Sequence, residues 1–451
     1  MTEAPLRLLL LFQSMWEEDC VAALRADRAV ALYREGFESF GYPQVLRLLG
    51  FDAQRYCERL VARYRGRIDA VWSNDDQFGC LLAAAMAKQL GLPGADPAAI
   101  VRAQHKLLLR QTLARVMPAH SVIAGALPWP MRDRRARDPA AVAAAVAATG
   151  LRWPLFTKPV KGSFSALARR VDDAGTLARH QQLSWPDRWL LQRHSRPFAQ
   201  LAAAFVPLPC GPDHALLEPP LRGQQVNVDG YAHRGAVHVL GVVDELMYPG
   251  EVAGARHFAG FTLPSRLPAT VQQQVAAVAV AAVRAIGYDH GLFNVELFVT
   301  SDGGIQVIEI NPRSSGQFAT LYRAVLGLDV ERLAVHLAAG LEPGEVPRHA
   351  ATAGAAASFV FRRFDGQPGR QPDAAALAWL AATFPTSRLW CEPAVGQALR
   401  REYRWNGSHR YAVWNHAAPD LPTLLRDGEV VARRLFDVAM PLGELAIGAP
   451  S

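Results

Sequence analysis

Lysine is almost missing from this chain. Only Lys88, Lys106, Lys158 and Lys161 occur among 48 basic residues, and the rest are arginine. Where bulk positive charge suffices the sequence uses arginine, so a retained lysine is a candidate for a compact point charge with three rotatable donors, as phosphate contacts require. Cysteine is scarce too. Cys20, Cys57, Cys80, Cys210 and Cys391 are odd in number and lack metal-ligand spacing, which argues against a disulfide framework and a zinc cluster and fits reduced thiols in a cytoplasm. No apolar run approaches the roughly 20 residues of a bilayer-crossing helix, so no membrane association is expected. The opening "LRLLLLF" (residues 6–12) is short, lacks a small-residue cleavage site and runs into acidic residues, so it is expected to be a buried first strand rather than a leader. The net charge of +7 is spread along the chain, without a block of one sign. The densest basic run, "RDRRARD" (residues 132–138), is interleaved with aspartate beside Pro130 and Pro139, which reads as a solvated loop and not as a nucleic-acid patch. No internal repeat and no low-complexity tail is present.

The stretch that carries chemistry is "FNVELFVTSDGGIQVIEINPRSSGQF" (residues 293–318). Two arms rich in Val, Ile and Phe flank Asp302-Gly303, the strongest short-range signal for a two-residue type I′ hairpin turn. That turn sets Glu296 opposite Glu309. Directly opposed carboxylates repel, so the arrangement makes sense if a cation or a proton holds them together. Alternation puts Asn311 on the same face as Glu309, with Ile308 and Ile310 turned into the core. Hard oxygen ligands suit Mg²⁺, which completes its octahedron with water and phosphate oxygens. Arg313, two residues further on, is placed to fork onto a bound phosphate or carboxylate.

Along the chain, the first segment reads as a small α/β unit. Strand "LRLLLLF" is followed by a helix through "VAALRADRAVALYREGF", a helix near "FDAQRYCERLVARYR", strand "IDAVWS" and helix "FGCLLAAAMAKQLG" closed by Gly91. Acidic clusters "WEED" and "NDD" fall after the two strands, where they could take a substrate amine or cap helices. An Ala-rich helix "DPAAVAAAVAATG" comes next, then strand "LFTK", whose Lys158 precedes the short loop "PVKGSFS" with backbone and hydroxyl donors for phosphates. The proline-rich stretch 197–222 reads as an inserted loop. A long helix "ATVQQQVAAVAVAAVRAIG" leads into the hairpin, and strand candidates "GAAASFVFRRF" and "YAVWNHAA" mark a mixed C-terminal unit.

In their order, these motifs resemble the ATP-grasp superfamily over roughly residues 65–345. "GLPG" with "QHKLLLRQTL" resembles the helix of a first nucleotide lysine, here Lys106, and "LFTKPVKGSFS" the strand and flexible loop of a second, Lys158. "WLLQRH" (residues 189–194) resembles the hinge that reads adenine through its backbone, and "GQQVNVDGY" the strand after it. "NVELFV…IEINPR" resembles the metal-binding strands. Three departures stand out: Gln225 occupies a usual acid position, "RSSG" replaces a common glycine pair, and the loop lacks the glycine run of biotin carboxylases, which argues against bicarbonate as substrate. The overall look is that of bacterial carboxylate–amine ligases that join amino acids, often in specialised metabolism.

The resemblance implies an α/β fold, α+β overall, of ATP-grasp architecture. It comprises a Rossmann-like pre-ATP-grasp domain (residues 1–117), a small lobe with the phosphate loop (118–193), a large lobe with the metal site (194–345) and a C-terminal mixed α/β lid or substrate subdomain (346–451). It further implies ATP and two Mg²⁺ ions, replaceable by Mn²⁺, on Glu296, Glu309 and Asn311. Nucleotide contacts fall to Lys106, Lys158, Lys161, Gly162, Ser163, Ser165, Gln192, Arg193 and His194. Arg313 would stabilise the oxyanion of acyl transfer; Arg256 and His257, between "DELMYPG" and the long helix, are by position the candidates for substrate carboxylate and proton handling. The implied partners are small-molecule carboxylate and amine substrates and a possible second copy of the chain, with no nucleic acid and no membrane. Phosphotransfer to an end product and nucleotide sensing without turnover are the alternatives.

Overall fold

The computed structural model describes residues 4–38, 44–129, 138–440 and 442. Strand β1 (Leu6–Leu11) is apolar except for Arg7 near its start, and its buried run Leu8 to Leu11 suits the centre of a parallel sheet buried on both faces. It pairs in parallel with β2 (Val30–Glu35) and β3 (Ala70–Ser73), in the order β2-β1-β3. The helix expected to run from residue 21 to residue 37 is cut short. Helix α1 (Glu18–Ala26) stops at Asp27, and "VALYRE" becomes β2, because the second edge of β1 demands a partner that outweighs helical propensity. Helices α2 (Ala53–Tyr64) and α3 (Gly79–Leu90) form as expected, with Asp52 capping the first and Gly91, at φ 69°, ending the second. Helices α4 (Pro97–Gln104) and α5 (Lys106–Val116) then lead to the next sheet.

That sheet contains β4 (Gly125–Pro128), β5 (Leu155–Pro159), β6 (Arg169–Val171) and β7 (His214–Glu218) in the antiparallel order β4-β7-β5-β6. Helices α6 (Pro139–Ala148), α7 (Ala174–His180) and α8 (Trp185–Ala202) belong to the same region. The stretch expected as an inserted loop therefore holds a central strand. Its prolines bound "HALLE" without entering it, and Ala215, Leu216 and Leu217 are fully buried. The arginine-rich run at 132–138 lies, as far as residue 137, outside the described residues; Asp138 caps α6.

The largest sheet has eight antiparallel strands. They are β8 (Gly223–His233), β9 (Ala236–Met247), β10 (Phe258–Leu263), β11 (Gly291–Thr300), β12 (Ile305–Asn311), β13 (Ala355–Arg363), β14 (Arg388–Cys391) and β15 (His409–Ala418). The order is β12-β11-β8-β9-β10-β13-β15-β14, so the C-terminal strands extend this sheet and build no sheet of their own. Helix α9 (Ala269–Ala285) covers one face: Val226, Val228, Val295 and Val307 pack onto its Val275, Ala279 and Ala282. Alternation turns Asn227, Asp229, Asn294 and Glu296 to the other face. Among the described residues no helix is long and apolar enough to cross a membrane.

The crossing from small to large sheet is tight. Gly223 has φ 136°, and a Cβ there would lie 2.1 Å from the Val299 carbonyl oxygen. Gly235, at φ 80° in the β8–β9 turn, faces open space. A Gly235→Ala variant should lose only about 1–2 kcal/mol for the left-handed backbone. Gly223→Ala should lose clearly more, because β8 and β11 must also part; equal losses in urea titrations would contradict this account.

Candidate active site

Strands β11 and β12 set Glu296 directly opposite Glu309, in the register expected, yet by a different route. The turn holds three residues, not two: Thr300 N–H donates to the Gly304 carbonyl (2.8 Å) and Gly303, at φ 83°, donates to Thr300 (2.9 Å). This moves the pairing by one, so Leu297 faces Val307. A bulge at Ile308 then restores it. Ile308 is consequently only half-buried, and Val307 and Ile310 face the core in its place. Burial and the Glu309 charge push the Glu296 carboxyl up to about 7. Burial, then Glu296, raises Glu245 well above the carboxylate range. Asn227 Nδ2 donates to Glu245 (2.6 Å), and Asn311 Nδ2 to Asn294 (3.1 Å) and Glu296 (3.3 Å), which leaves the Asn311 oxygen to coordinate.

Among the described residues no three His, Cys, Asp or Glu side chains gather closely enough to hold a metal by themselves. Two opposed carboxylates and an amide oxygen do fit Mg²⁺, which takes its remaining ligands from phosphate and water.

Lys106 is the first residue of α5, whose N-cap is His105. The His105 Nδ1 accepts from Leu108 N–H (3.3 Å), and its Nε2 lies 3.1 Å from the Cys210 carbonyl. Burial holds His105 down to about 4, so the ring is neutral and Nε2–H is the donor. From there the Lys106 ammonium reaches Glu309 (2.9 Å) and the Gly162 carbonyl (2.9 Å). Lys158 pairs with Glu218 (2.8 Å), which also takes Arg110 at 3.0 Å. Burial opposes the Glu218 charge, but Arg110 and Lys158 outweigh it and hold the carboxyl below its usual range. Arg110 Nη2 donates as well to the Ile308 carbonyl (2.7 Å), the group that the bulge turns outward.

Asp76, the last residue of "NDD", gathers the rest. Arg313 Nη2 donates to Asp76 Oδ2 (2.8 Å), Ser163 Oγ to Oδ1 (3.0 Å), and Lys161 Nζ to its backbone carbonyl (2.6 Å). Burial alone would raise the Asp76 carboxyl, yet Arg313 and Lys161 hold it at about 2. Its neighbours serve locally: Asp75 caps α3 through Phe78 and Gly79, and Asn74 accepts from Ser314. Phe164 and Ser165, both exposed and at positive φ, form the loop tip.

Residues 189–194 differ from expectation. They lie inside α8, whose backbone groups are taken up by the helix, and the His194 carbonyl also accepts from Gln77 (2.9 Å). Gln192, Arg193 and His194 therefore belong to no hinge; residues 219–222 join the two sheets. Arg256 is exposed, 3.5 Å from the Gly223 carbonyl. His257 lies apart from the Lys106–Glu309 group, against Ser408 and Phe364, with burial holding it down to about 4. Sequence reasoning missed Glu218, Arg110, Asn227, Asn294 and Glu245. Asn294 was readable as the same-face neighbour two residues before Glu296, whereas Glu218 was hidden among prolines.

Residues 151–321 match the ATP-grasp domain family. The chain is 33% identical over 301 residues to carnosine synthase 1 of Gallus gallus, a match that covers 64% of this chain and 29% of that protein. The chain thus spans less than a third of this relative's length. Its fold is similar to the L-amino acid ligase of Bacillus licheniformis (TM-score 0.70, 16% identity, 96% of this chain and 98% of that one). It is also similar to N5-carboxyaminoimidazole synthase of Aspergillus clavatus, solved with ADP and its ribonucleotide (TM-score 0.58, 13% identity, 98% of each chain).

Glu218→Gln strips the shared anion from two buried cations. It should destabilise the protein by about 3–5 kcal/mol, the range for breaking a buried pair; a urea midpoint equal to wild type would contradict the triad.

Proposed function

Because residues 151–321 are an ATP-grasp domain, we propose that this chain is an ATP-dependent carboxylate–amine ligase acting on an amino acid or similar small metabolite. The observation that carries the reading is the convergence of Lys106, Glu309 and the Gly162 carbonyl within 2.9 Å, where nucleotide lysine, metal ligand and phosphate loop meet. The names of the relatives, an amino acid ligase and a carnosine synthase, support the reaction class.

In this reading a substrate carboxylate oxygen attacks the γ-phosphorus of ATP, the bond to the β-phosphate oxygen breaks, and ADP leaves. An acyl phosphate remains. The amine nitrogen then attacks the acyl carbon, the bond to phosphate breaks, and an amide forms as the nitrogen gives up a proton. Lys106 and Lys158 neutralise the α and β phosphates, and the loop at residues 162–165 covers the γ-phosphate. Glu296, Glu309 and Asn311 would hold Mg²⁺, which when bound neutralises charge on the phosphates. Arg313, kept charged by Asp76 against its burial, would stabilise the oxyanion of acyl transfer. Gln192, Arg193 and His194 drop out of the nucleotide set, because an adenine edge needs free backbone groups. Residues 219–222, passing between the sheets, take their place. Arg256 remains a candidate for substrate carboxylate. Proton transfer through His257 gains no support from its position.

Hydroxylamine in place of the unknown amine tests the chemistry. Purified protein with ATP, Mg²⁺ and pooled amino and carboxylic acids should yield a hydroxamate by mass spectrometry. ADP without hydroxamate would favour phosphotransfer, and neither product would sink the enzyme reading. Glu309→Gln should lower ADP formation on the order of a hundredfold or more, and should also lower the melting temperature, because it strips the anion from buried Lys106; a variant as active as wild type, with the same Mg²⁺ dependence, would remove Glu309 from the metal set.

A further inference from the structure

The large sheet opposes like charges twice. Glu296 faces Glu309 at one end, and Arg362 faces Arg410 across β13 and β15 near the other. Opposed cations repel as opposed anions do. Arg410 is neutralised by Glu392, which it grips with Nε at 3.1 Å and Nη2 at 2.8 Å. Arg362 is not. Its Nε donates to the Phe258 carbonyl (3.3 Å) and its Nη1 to Ser408 Oγ (3.0 Å), and among the described residues no carboxylate lies within ion-pair distance of it. Ser408 Oγ, which accepts from Arg362, lies in turn 3.2 Å from His257 Nδ1, and burial keeps that ring neutral. A largely buried guanidinium without an anion is costly unless a ligand supplies one.

His257 Nε2, beside Ser408, is also buried without a partner among the described residues, as are Trp405 Nε1 and Asn406 Oδ1 on the segment leading to Ser408. Unused buried donors and acceptors suit a polar guest. Strand alternation puts Arg362 on the face of Val360 and Ser358. Ser358 lies opposite Phe261, and Phe261 opposite Glu245, so Arg362 lies on the same side of the sheet as Glu296. The phosphate loop connects the two ends. Gly162 touches Lys106, and two residues on, the Phe164 ring lies 5.5 Å from the Arg410 guanidinium.

We propose that Arg362, steadied by Ser408 and flanked by Arg410, binds the free carboxylate of the amine substrate, an amino acid or short peptide that offers its nitrogen to the acyl phosphate. This rests on the ligase reading. A planar guanidinium fork with Nη2 uncommitted matches a carboxylate and gives orientation as well as attraction. The acceptor would thus be read at the end remote from its nucleophile, under the loop tip, which links its arrival to loop closure.

Two acceptors separate the roles of Arg362. Hydroxylamine has no carboxylate; a pool of the twenty L-amino acids and glycyl dipeptides has one on every member. With the same donor pool, Arg362→Met should reduce amide formation on the order of a hundredfold, the scale for truncating one side of a buried charge pair, and hydroxamate formation by less than about threefold. Arg362→Lys, which keeps the charge without the fork, should fall between. Equal losses of both products, or a lower melting temperature that accounts for both, would make Arg362 structural and overturn the proposal. So would unchanged amide formation, a raised KM for ATP alone, or a wild-type product built only from amines without a carboxylate. A wild type that makes neither hydroxamate nor amide would instead sink the ligase reading.

Discussion

The Lys106 ammonium holds three parts of the chain at one point. It stands at the start of α5, takes Glu309 from the large sheet, and donates to the Gly162 carbonyl of the loop that follows β5. A buried cation requires an anion and further acceptors, so the three parts must arrive together. Beside it the Arg110–Glu218–Lys158 cluster ties α5, β7 and β5, and Arg110 continues to the Ile308 carbonyl. The bulge that brings Glu296 opposite Glu309 is thereby secured from helix α5. The opposed carboxylates of the large sheet and the buried lysines Lys106 and Lys158 thus belong to one network.

Charge on the large sheet is arranged against its own stability. Burial and the opposed Glu309 charge raise the proton affinity of Glu296 on β11, and burial with Glu296 raises that of Glu245. Of the opposed arginines at β13 and β15, only Arg410 is ion-paired among the described residues, with Glu392. Strand pairs that repel are retained where a ligand of opposite sign repays them, and strained or unsatisfied groups gather at sites of function. One face of this sheet would then read a cation and phosphates at one end and an anion at the other, while its reverse face, Val226, Val228, Val295 and Val307, does the packing on α9.

Local signals carried much of this into the sequence. Leu8 to Leu11 announced a central strand, Asp52 and Gly91 marked helix ends, and the scarcity of lysine drew attention to Lys106 and Lys158, both of which are buried and ion-paired. Elsewhere local signals misled. Residues 30–35 have a helical look but complete the sheet on β1, "WLLQRH" resembles a hinge but lies within α8, and the prolines around residues 214–218 disguised a strand by framing it. Each miss is a place where tertiary pairing overrides propensity.

The hairpin shows where the division falls. Its residue types, two carboxylates, an amide and an arginine on alternating positions, were determined by sequence alone, because side-chain periodicity in a strand is a local property. The register was not. The expected two-residue turn is a three-residue one, and the resulting slip is cancelled by a bulge that local sequence does not announce and that Arg110, 198 positions away, helps to hold. In the same way the chain's own order placed Asp76 in a loop after a strand, but only folding brought Arg313, Lys161 and Ser163 to it. Which atoms carry the chemistry is written residue by residue; which charges must share a buried space depends on contacts between distant segments, and those only the tertiary structure decides.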